Sequence, residues 1–208
     1  MSQVKLVWVT PDAEEKIAYM ARVSNPANQD NPATAQKLLA YLIRNKHWSP
    51  FEMVNVCMEI ETTRDIARQI LRHRSFSFQE FSQRYAVAEQ FESRECRLQD
   101  TKNRQNSLES DDYFANTWWK AAQERHISDS MRLYDQALAQ GIAKEQARAL
   151  LPDGLTMSKM YMNGTLRSWL HYVDIRTDAA TQKEHRLVAE QAKDILKEHF
   201  PSLFGDSK

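Results

Sequence analysis

The sequence predicts an α+β fold, in which a mixed or antiparallel sheet is flanked by helices. Short apolar runs alternate as strands do, and longer segments repeat apolar residues every three or four positions as helices do. The clearest strands are predicted at residues 4–9, 54–60 and 155–162, and the longest helix at 113–140. No internal repeat or low-complexity linker interrupts the 208 residues. We therefore expect one domain over residues 1–208, long enough to bury a sizeable core.

The N-terminal part is predicted to contain a strand, two helices and a second strand. After the strand at residues 4–9, Thr10 and Pro11 mark a helix start, because threonine can cap a helix and proline fits its first turn. The next helix is indicated by Leu38, Leu39, Leu42 and Ile43. Residues 54–61 alternate between apolar and polar side chains, which predicts a strand with one buried face and places Cys57 on its polar face.

The middle of the chain is predicted to hold a short helix, a strand and an exposed excursion. The helix has an apolar stripe made of Ile66, Ala67, Ile70 and Leu71. Its end should carry Gln69, Arg72 and His73 on another face. Residues 82–87 are predicted to form a strand. Residues 91–112 contain many charges and no clear period, so we expect an exposed, partly irregular segment.

The C-terminal half is predicted to be mainly helical. Residues 113–140 form a long helix that Gly141 ends, and residues 144–150 form a short helix before a proline. A later helix has an apolar stripe at Leu166, Trp169, Leu170 and Val173. Thr181 and Glu184 have the spacing of a capping box at the start of the last helix.

The composition restricts the possible classes of protein. Lys plus Arg and Asp plus Glu each total 28, and this zero net charge argues against a dedicated duplex-binding protein. No apolar run predicts a membrane helix, and the N-terminus lacks the pattern of a signal peptide. Cys57 and Cys96 are too few and too far apart for a disulfide framework or a zinc site, so we expect no metal and a cytoplasmic protein. The four glycines form neither a dinucleotide-binding fingerprint nor a P-loop.

The segment most suggestive of function is residues 72–85, which reads RHRSFSFQEFSQRY. It combines cations, hydroxyl groups and aromatic rings, with Glu80 as its only acid. Converging guanidinium groups bind phosphate or carboxylate through paired hydrogen bonds, so this segment predicts a site for a phosphorylated ligand. Cations at a helix end are also favoured by the helix dipole alone, so the Arg-His-Arg triplet by itself has a purely structural explanation.

The longer pattern is more specific. Arg-His-Arg, seven further residues, Ser82 and then Arg84-Tyr85 resembles the signature of the flavin-dependent thymidylate synthases. Residues 47–52, HWSPFE, and residues 147–152, ARALLP, are similar to two further segments of that family. The resemblance covers nearly the whole chain. It implies the fold of that family, a homotetramer with sites shared between subunits, and methylation of dUMP without a cysteine nucleophile.

The resemblance also implies roles for individual residues. FAD would be the cofactor, with NADPH and 5,10-methylenetetrahydrofolate as co-substrates. One arginine, Arg176, matches the residue that stabilises negative charge on the uracil ring. The implied dUMP contacts are Gln69, Arg72, Glu80, Phe81, Ser82, Gln83, Arg84, Arg148 and Arg176. The implied flavin contacts are His47, Ser49, Arg72, His73, Arg74, Glu80, Asn163, Arg167 and His171.

Two other functions are compatible with the same residues. A related enzyme could use flavin and folate to hydroxymethylate a pyrimidine nucleotide. An RNA- or polyanion-binding module could use the Arg-His-Arg cluster together with stacking on Phe76, Phe78 and Phe81. The zero net charge and the lack of a basic stripe argue against this module, and product analysis with dUMP would identify the group transferred by an enzyme.

Overall fold

The computed structural model describes residues 2–204 and confirms the α+β class. Its strands are β1 (Gln3–Val9), β2 (Asn55–Thr63), β3 (Phe76–Glu80), β4 (Arg97–Gln99), β5 (Ser107–Glu109) and β6 (Met157–Thr165). Its α-helices are α1 (Ala13–Ala21), α2 (Ala35–Arg44), α3 (Arg64–Ile70), α4 (Tyr113–Ala139), α5 (Lys144–Ala147), α6 (Leu166–Arg176), α7 (Lys183–His199) and α8 (Pro201–Phe204). Short 3₁₀ helices occupy Pro26–Asn28, Pro32–Thr34, Ser49–Glu52 and Arg148–Leu150. Four strands form one sheet in the order β1-β2-β6-β3, and β4 pairs with β5 as an antiparallel hairpin.

The chain divides into two compact units, each assembled from separate stretches of sequence. The first unit contains Ser2, Glu61–Arg72 and residues 80–160. The second contains residues 3–60, His73–Gln79 and residues 161–204. The prediction of one domain over the whole chain therefore stays a prediction.

In the first unit, a half-buried arginine joins the segment before the hairpin to two helices. The Arg94 guanidinium donates to Asp65 Oδ1 of α3 at 2.7 Å. The backbone of Arg94 is held by α4, because its N–H donates to Gln123 Oε1 at 2.7 Å and its carbonyl accepts from Trp119 Nε1 at 3.0 Å. The segment 91–112 is mostly exposed, as predicted, and contains β4 and β5. The contacts of Arg94 anchor its start.

In the second unit, helices cover the sheet with an apolar core. Trp169 of α6 is fully buried and donates its indole N–H to the carbonyl of Val56 in β2 at 3.0 Å. The core residues of this unit without solvent exposure include Ile17, Leu39, Phe51, Met58, Val188 and Leu196. The predicted helical stripes thus do face the core, although Leu38, Ile43 and Leu170 are only half-buried.

Two predicted helix caps are wrong because each threonine forms a different bond. Thr10 pairs with β2, where its hydroxyl accepts from the Asn55 N–H at 2.9 Å, and α1 is instead preceded by Asp12 with a left-handed φ of 50°. Thr181 donates to the carbonyl of Ile175 at 3.2 Å, and α7 begins two residues later, at Lys183.

Three other local predictions are corrected by the structure. Residues 82–87 form a turn, and the strand in this region is β3. Cys57 is buried although its position in the alternation placed it on the polar face. Asn163 and its neighbour Gly164 lie inside β6 rather than after it. No helix in residues 2–204 is both long and apolar enough to cross a bilayer.

Candidate active site

The Arg-His-Arg triplet lies in the connection between α3 and β3, not on a helix face. Helix α3 ends at Ile70, and Leu71 is its cap. A turn follows, in which the Phe76 N–H donates to the His73 carbonyl at 3.2 Å. The alternation of residues 76–80 suits a strand, so the chain turns before a further helical turn can form. The predicted helical convergence of Gln69, Arg72 and His73 is therefore wrong.

Within the first unit, Glu80 is held by two arginines of α3. Its carboxylate lies 3.3 Å from Arg68 Nη1 and 3.9 Å from Arg64 Nη1. The Ser158 hydroxyl donates to the same carboxylate at 2.9 Å. Arg64 and Arg68 were not predicted as site residues, although their i, i+4 spacing would place both guanidinium groups on one side of α3. Glu80 is thus a fixed, charge-compensated acceptor.

Two arginines that are 64 positions apart meet at Glu145 in the first unit. Arg84 Nε donates to the Glu145 carboxylate at 3.1 Å, and Arg148 Nε donates to the Glu145 backbone carbonyl at 3.2 Å. Lys144 Nζ donates to the Tyr85 carbonyl at 3.2 Å, which ties the turn at residues 82–86 to α5. The two guanidinium groups are partly exposed and have further N–H donors for an incoming anion.

Gln83, between Ser82 and Arg84, is buried with an unsatisfied amide. Its side-chain Nε2 has no acceptor within the described residues, although only 3% of the residue is exposed. A buried donor without a partner costs free energy unless a ligand or water supplies an acceptor. Ser82 accepts the Arg84 N–H at 3.4 Å, whereas Phe81 is exposed.

In the second unit, two of the predicted flavin residues, His47 and His171, each pack against an aromatic ring. Trp48 lies 4.9 Å from His171, measured between ring centroids, and His47 packs edge-on against Tyr41 at 5.9 Å. Trp48 was not predicted, although it stands next to His47 in the sequence. Arg167 on α6 is ion-paired with Glu52, the last residue of the 3₁₀ helix that Ser49 begins.

Two further predicted flavin residues differ in exposure. Arg74 is exposed in the turn before β3. Asn163 Oδ1 is buried and has no donor within the described residues, so it can accept a hydrogen bond from a ligand. Among residues 2–204, no group of three or more His, Cys, Asp or Glu side chains could hold a metal ion.

The last residue of α6, Arg176, forms a hydrogen bond with His73 in the second unit. Its Nε donates to His73 Nε2 at 2.9 Å. This bond requires a neutral imidazole at His73, with its proton on Nδ1. The contact uses one of the five guanidinium N–H donors, so the other four can serve a ligand.

A buried Tyr-His pair, which no sequence motif indicated, adjoins this contact. Tyr172 OH and His185 Nε2 form a hydrogen bond of 3.1 Å. Burial, together with the charge of Arg176, lowers the pKa of His185 to about 3, and burial raises the pKa of Tyr172. The buried faces of α6 and α7 were predictable, but their contact with each other was not.

Comparison with known proteins identifies the family. The family model described as thymidylate synthase complementing protein matches residues 5–202. The chain is 55% identical over 190 residues to the flavin-dependent thymidylate synthase of Synechocystis sp., covering 91% of this chain and 87% of that protein. It is 53% identical over 192 residues to the probable flavin-dependent thymidylate synthase of Paramecium bursaria Chlorella virus 1, with coverages of 92% and 88%.

A solved structure has the same fold. It is the UMP/dUMP methylase PolB of Streptomyces cacaoi bound with 5-Br dUMP, with a TM-score of 0.87 at 25% identity. The match covers 98% of this chain and 93% of that one. By its sequence over almost its full length, this chain belongs to the flavin-dependent thymidylate synthase family.

Proposed function

We propose that this protein catalyses the reductive methylation of dUMP to dTMP. The carbon donor is 5,10-methylenetetrahydrofolate, and NADPH is the reductant through FAD. The observation that carries the proposal is the meeting of Arg84 and Arg148 at Glu145, in a chain that belongs to this family. An anion of the size of a phosphate can replace the Glu145 carboxylate as the partner of Arg84.

The proposed dUMP contacts divide into three roles. Arg84 and Arg148 bind the phosphate, because guanidinium forks match its oxygens. The amide of Gln83 donates to an acceptor of the nucleotide, since its Nε2 is otherwise unsatisfied. Phe81, Ser82, Gln69 and Arg72 complete the contacts, with Glu80 fixed beside them by Arg64 and Arg68.

The residues of the second unit suit FAD. Arg74 offers a guanidinium group to the pyrophosphate, and Asn163 has a buried acceptor without a donor. His47, Trp48 and His171 provide ring surface of the kind on which a planar heterocycle packs. Ser49, His73 and Arg167 are further proposed flavin contacts of this unit. The family resemblance also implies Arg72 and Glu80, which belong to the first unit. When bound, FAD supplies the hydride equivalent needed to complete the methyl group.

Arg176 is the proposed catalytic residue. A guanidinium stays charged at neutral pH, so it cannot serve as a base, but it can stabilise negative charge on the uracil ring in the transition state. The His73 bond at Nε fixes the plane of this group while its terminal N–H groups remain for the ring. Preorganised donors of this kind are worth about 10²–10³ in turnover.

We further propose a homotetramer with sites shared between subunits. Tyr113, Phe114 and Trp118 at the start of α4 are exposed by 74%, 81% and 64%. A cluster of large exposed apolar side chains on one helix is typical of a contact surface. A reduced cytoplasmic setting remains our expectation, because two widely spaced cysteines are not a disulfide framework.

The decisive experiment is product analysis. The purified protein is incubated anaerobically with dUMP, 5,10-methylenetetrahydrofolate and NADPH. The nucleotides are then separated and identified by mass spectrometry. We expect dTMP, and Arg176→Ala should retain bound flavin but lose about 10²–10³ in single-turnover methyl transfer. Arg176→Lys should recover only part of the rate, because a point charge lacks the planar fork.

The same experiment separates the alternative substrates and products. Hydroxymethyl-dUMP as the only product would support the hydroxymethylase instead. A parallel incubation with UMP tests whether the ribonucleotide is also accepted, since the similar solved structure is of a UMP/dUMP methylase. Wild-type transfer rates in Arg176→Ala would assign the charge-stabilising role to another residue, with Arg84 as the next candidate.

A further inference from the structure

The rings around His73 form a buried cluster in the second unit that no assigned role explains. Tyr172 belongs to α6, like Arg176, whereas His185 belongs to α7. Both are buried, with 1% and 0% exposure, and their polar atoms bond to each other at 3.1 Å. Burying two polar side chains costs free energy unless they are hydrogen-bonded, so we asked what role this buried pair has.

The cluster surrounds the imidazole of His73 with ring edges. Tyr172 lies 5.0 Å from it with an interplanar angle of 80°, and His185 lies 6.3 Å away at 84°. Phe76 makes a third edge contact, at 6.5 Å and 84°. Rings packed on several sides leave an imidazole little freedom to turn about its χ angles. A turned imidazole would no longer present Nε2 to Arg176.

We propose that Tyr172 and His185 are positioning residues for Arg176. Their hydrogen bond fixes the Tyr172 ring, the two rings fix His73, and His73 Nε2 fixes the Arg176 guanidinium through the bond of 2.9 Å. The inference rests on the proposed function, because it assumes that Arg176 acts on the nucleotide. A small displacement of a catalytic group can cost about 10²-fold in rate, so this chain of contacts has kinetic consequences.

The charges in the cluster agree with this role. Burial is the main reason that His185 stays neutral, and Arg176, which faces it together with His73, acts in the same direction. Tyr172 keeps its proton because burial raises its pKa. Arg176 is therefore the only one of these four residues that carries a full charge. The other three are His73, Tyr172 and His185. Neutral neighbours leave the lone pair of His73 available to Arg176.

The test begins with Tyr172→Phe, which keeps the ring and removes the bond to His185. In the flavin-loaded protein we expect single-turnover dTMP formation to fall about tenfold, with little change in the KM for dUMP. A crystal structure of this variant should show Arg176 Nε more than 3.5 Å from His73 Nε2, beyond hydrogen-bond distance. His185→Gln, whose amide can bond to Tyr172, should retain more of the rate than His185→Leu.

A double-mutant cycle distinguishes positioning from general stability. In an Arg176→Lys background, Tyr172→Phe should cost less than about twofold, because the group that it positions is already replaced. An equal loss in both backgrounds, or an unchanged Arg176–His73 distance, would overturn the proposal. Tyr134→Phe is the matched control, since Tyr134 is also fully buried but its hydroxyl has no partner within the described residues.

The remaining outcomes are also decisive. If Tyr172→Phe does not fold, the comparison of His185→Gln with His185→Leu decides, and equal rates in those two variants reject the role. If the wild-type protein makes no dTMP, the proposed function fails, whereas the crystallographic distance still reports on the positioning of Arg176.

Discussion

Glu145 is the residue on which the two proposed phosphate ligands converge. Arg84 and Arg148 reach it from different parts of the first unit, one through its carboxylate and one through its backbone carbonyl. We propose that a more highly charged anion displaces the Glu145 carboxylate from Arg84. In this proposal, dUMP competes with Glu145 for Arg84.

Replacing either arginine by lysine should weaken dUMP binding. Arg84→Lys and Arg148→Lys keep the charge but lose the fork, so we expect a loss of about 1.5–3 kcal/mol in binding free energy, measured by calorimetry. Arg132→Lys, in a surface ion pair of α4 with Asp129, is the control. Unchanged affinity in both variants would remove these arginines from the nucleotide site.

Neither cysteine should be required for catalysis. Burial raises the pKa of the Cys57 thiol, which makes a thiolate nucleophile less accessible. Cys57→Ala and Cys96→Ala should each form dTMP at close to the wild-type rate in the product assay. A variant that binds flavin and dUMP but makes no product would disprove the cysteine-independent mechanism.

His185 should make stability depend on pH in a defined direction. Its pKa is about 3 in the folded chain against 6.5 ordinarily, so between these values the unfolded chain binds a proton that the folded chain does not. The free energy of unfolding is therefore highest above pH 6.5 and falls as the pH is lowered, by about 2 kcal/mol between pH 7 and pH 5.

Thermal unfolding at these two pH values tests the effect. His185→Gln should unfold at a lower temperature at pH 7, yet lose less on going to pH 5 than the wild type. His126→Gln, at an exposed position of α4, should keep the wild-type slope. An identical slope in wild type and His185→Gln would show that another group titrates.

At the scale of secondary structure, β6 and β3 pack through a glycine. A β-carbon at Gly164 would lie 2.7 Å from Cε1 of Phe76, and Phe76 cannot move aside because it packs against His73 and Trp169. Gly164→Ala should therefore destabilise the protein by about 1–3 kcal/mol, measured by chemical denaturation. Gly154→Ala meets no atom within 4 Å and is the control. Equal stabilities of the two variants would show that the contact between Gly164 and Phe76 tolerates an added methyl group.

The elements were predictable where their signals are local. Gly141, with φ of 80°, ends α4 as expected, because only the backbone conformation of one residue decides that stop. Thr10 had the residue type of a cap, but β2 offered its hydroxyl another partner, and a contact between positions 45 apart leaves no local pattern. The same applies to α3, whose end depends on where β3 must begin.

At the scale of the whole molecule, the sequence predicted the site residues but not the contacts between them. Arg84, Arg148 and Arg176 were predictable as residues because the family motifs include them. Their partners Glu145 and His73, and the Tyr172–His185 pair, follow from tertiary contacts between segments that no motif connects. Residue types were thus available from the sequence, whereas the pairing that gives them orientation and protonation state was not.

The particle in solution should be larger than one chain. With 24.3 kDa per subunit, a homotetramer has a mass of about 97 kDa, which sedimentation equilibrium measures directly. We expect that mass at micromolar concentration, with and without dUMP. A mass of one or two subunits under the same conditions would rule out the tetramer, while leaving the product assay unaffected.

The strand order has a consequence for how the chain is made. β6 lies between β2 and β3 in the sheet, yet it comes from the last quarter of the sequence. On the ribosome, β2 and β3 are therefore synthesised long before the strand that separates them exists. Their edges must wait unpaired, and such edges invite pairing with other chains. We expect the nascent protein to depend on chaperones until β6 emerges, and slow translation before residue 157 to lower the soluble yield.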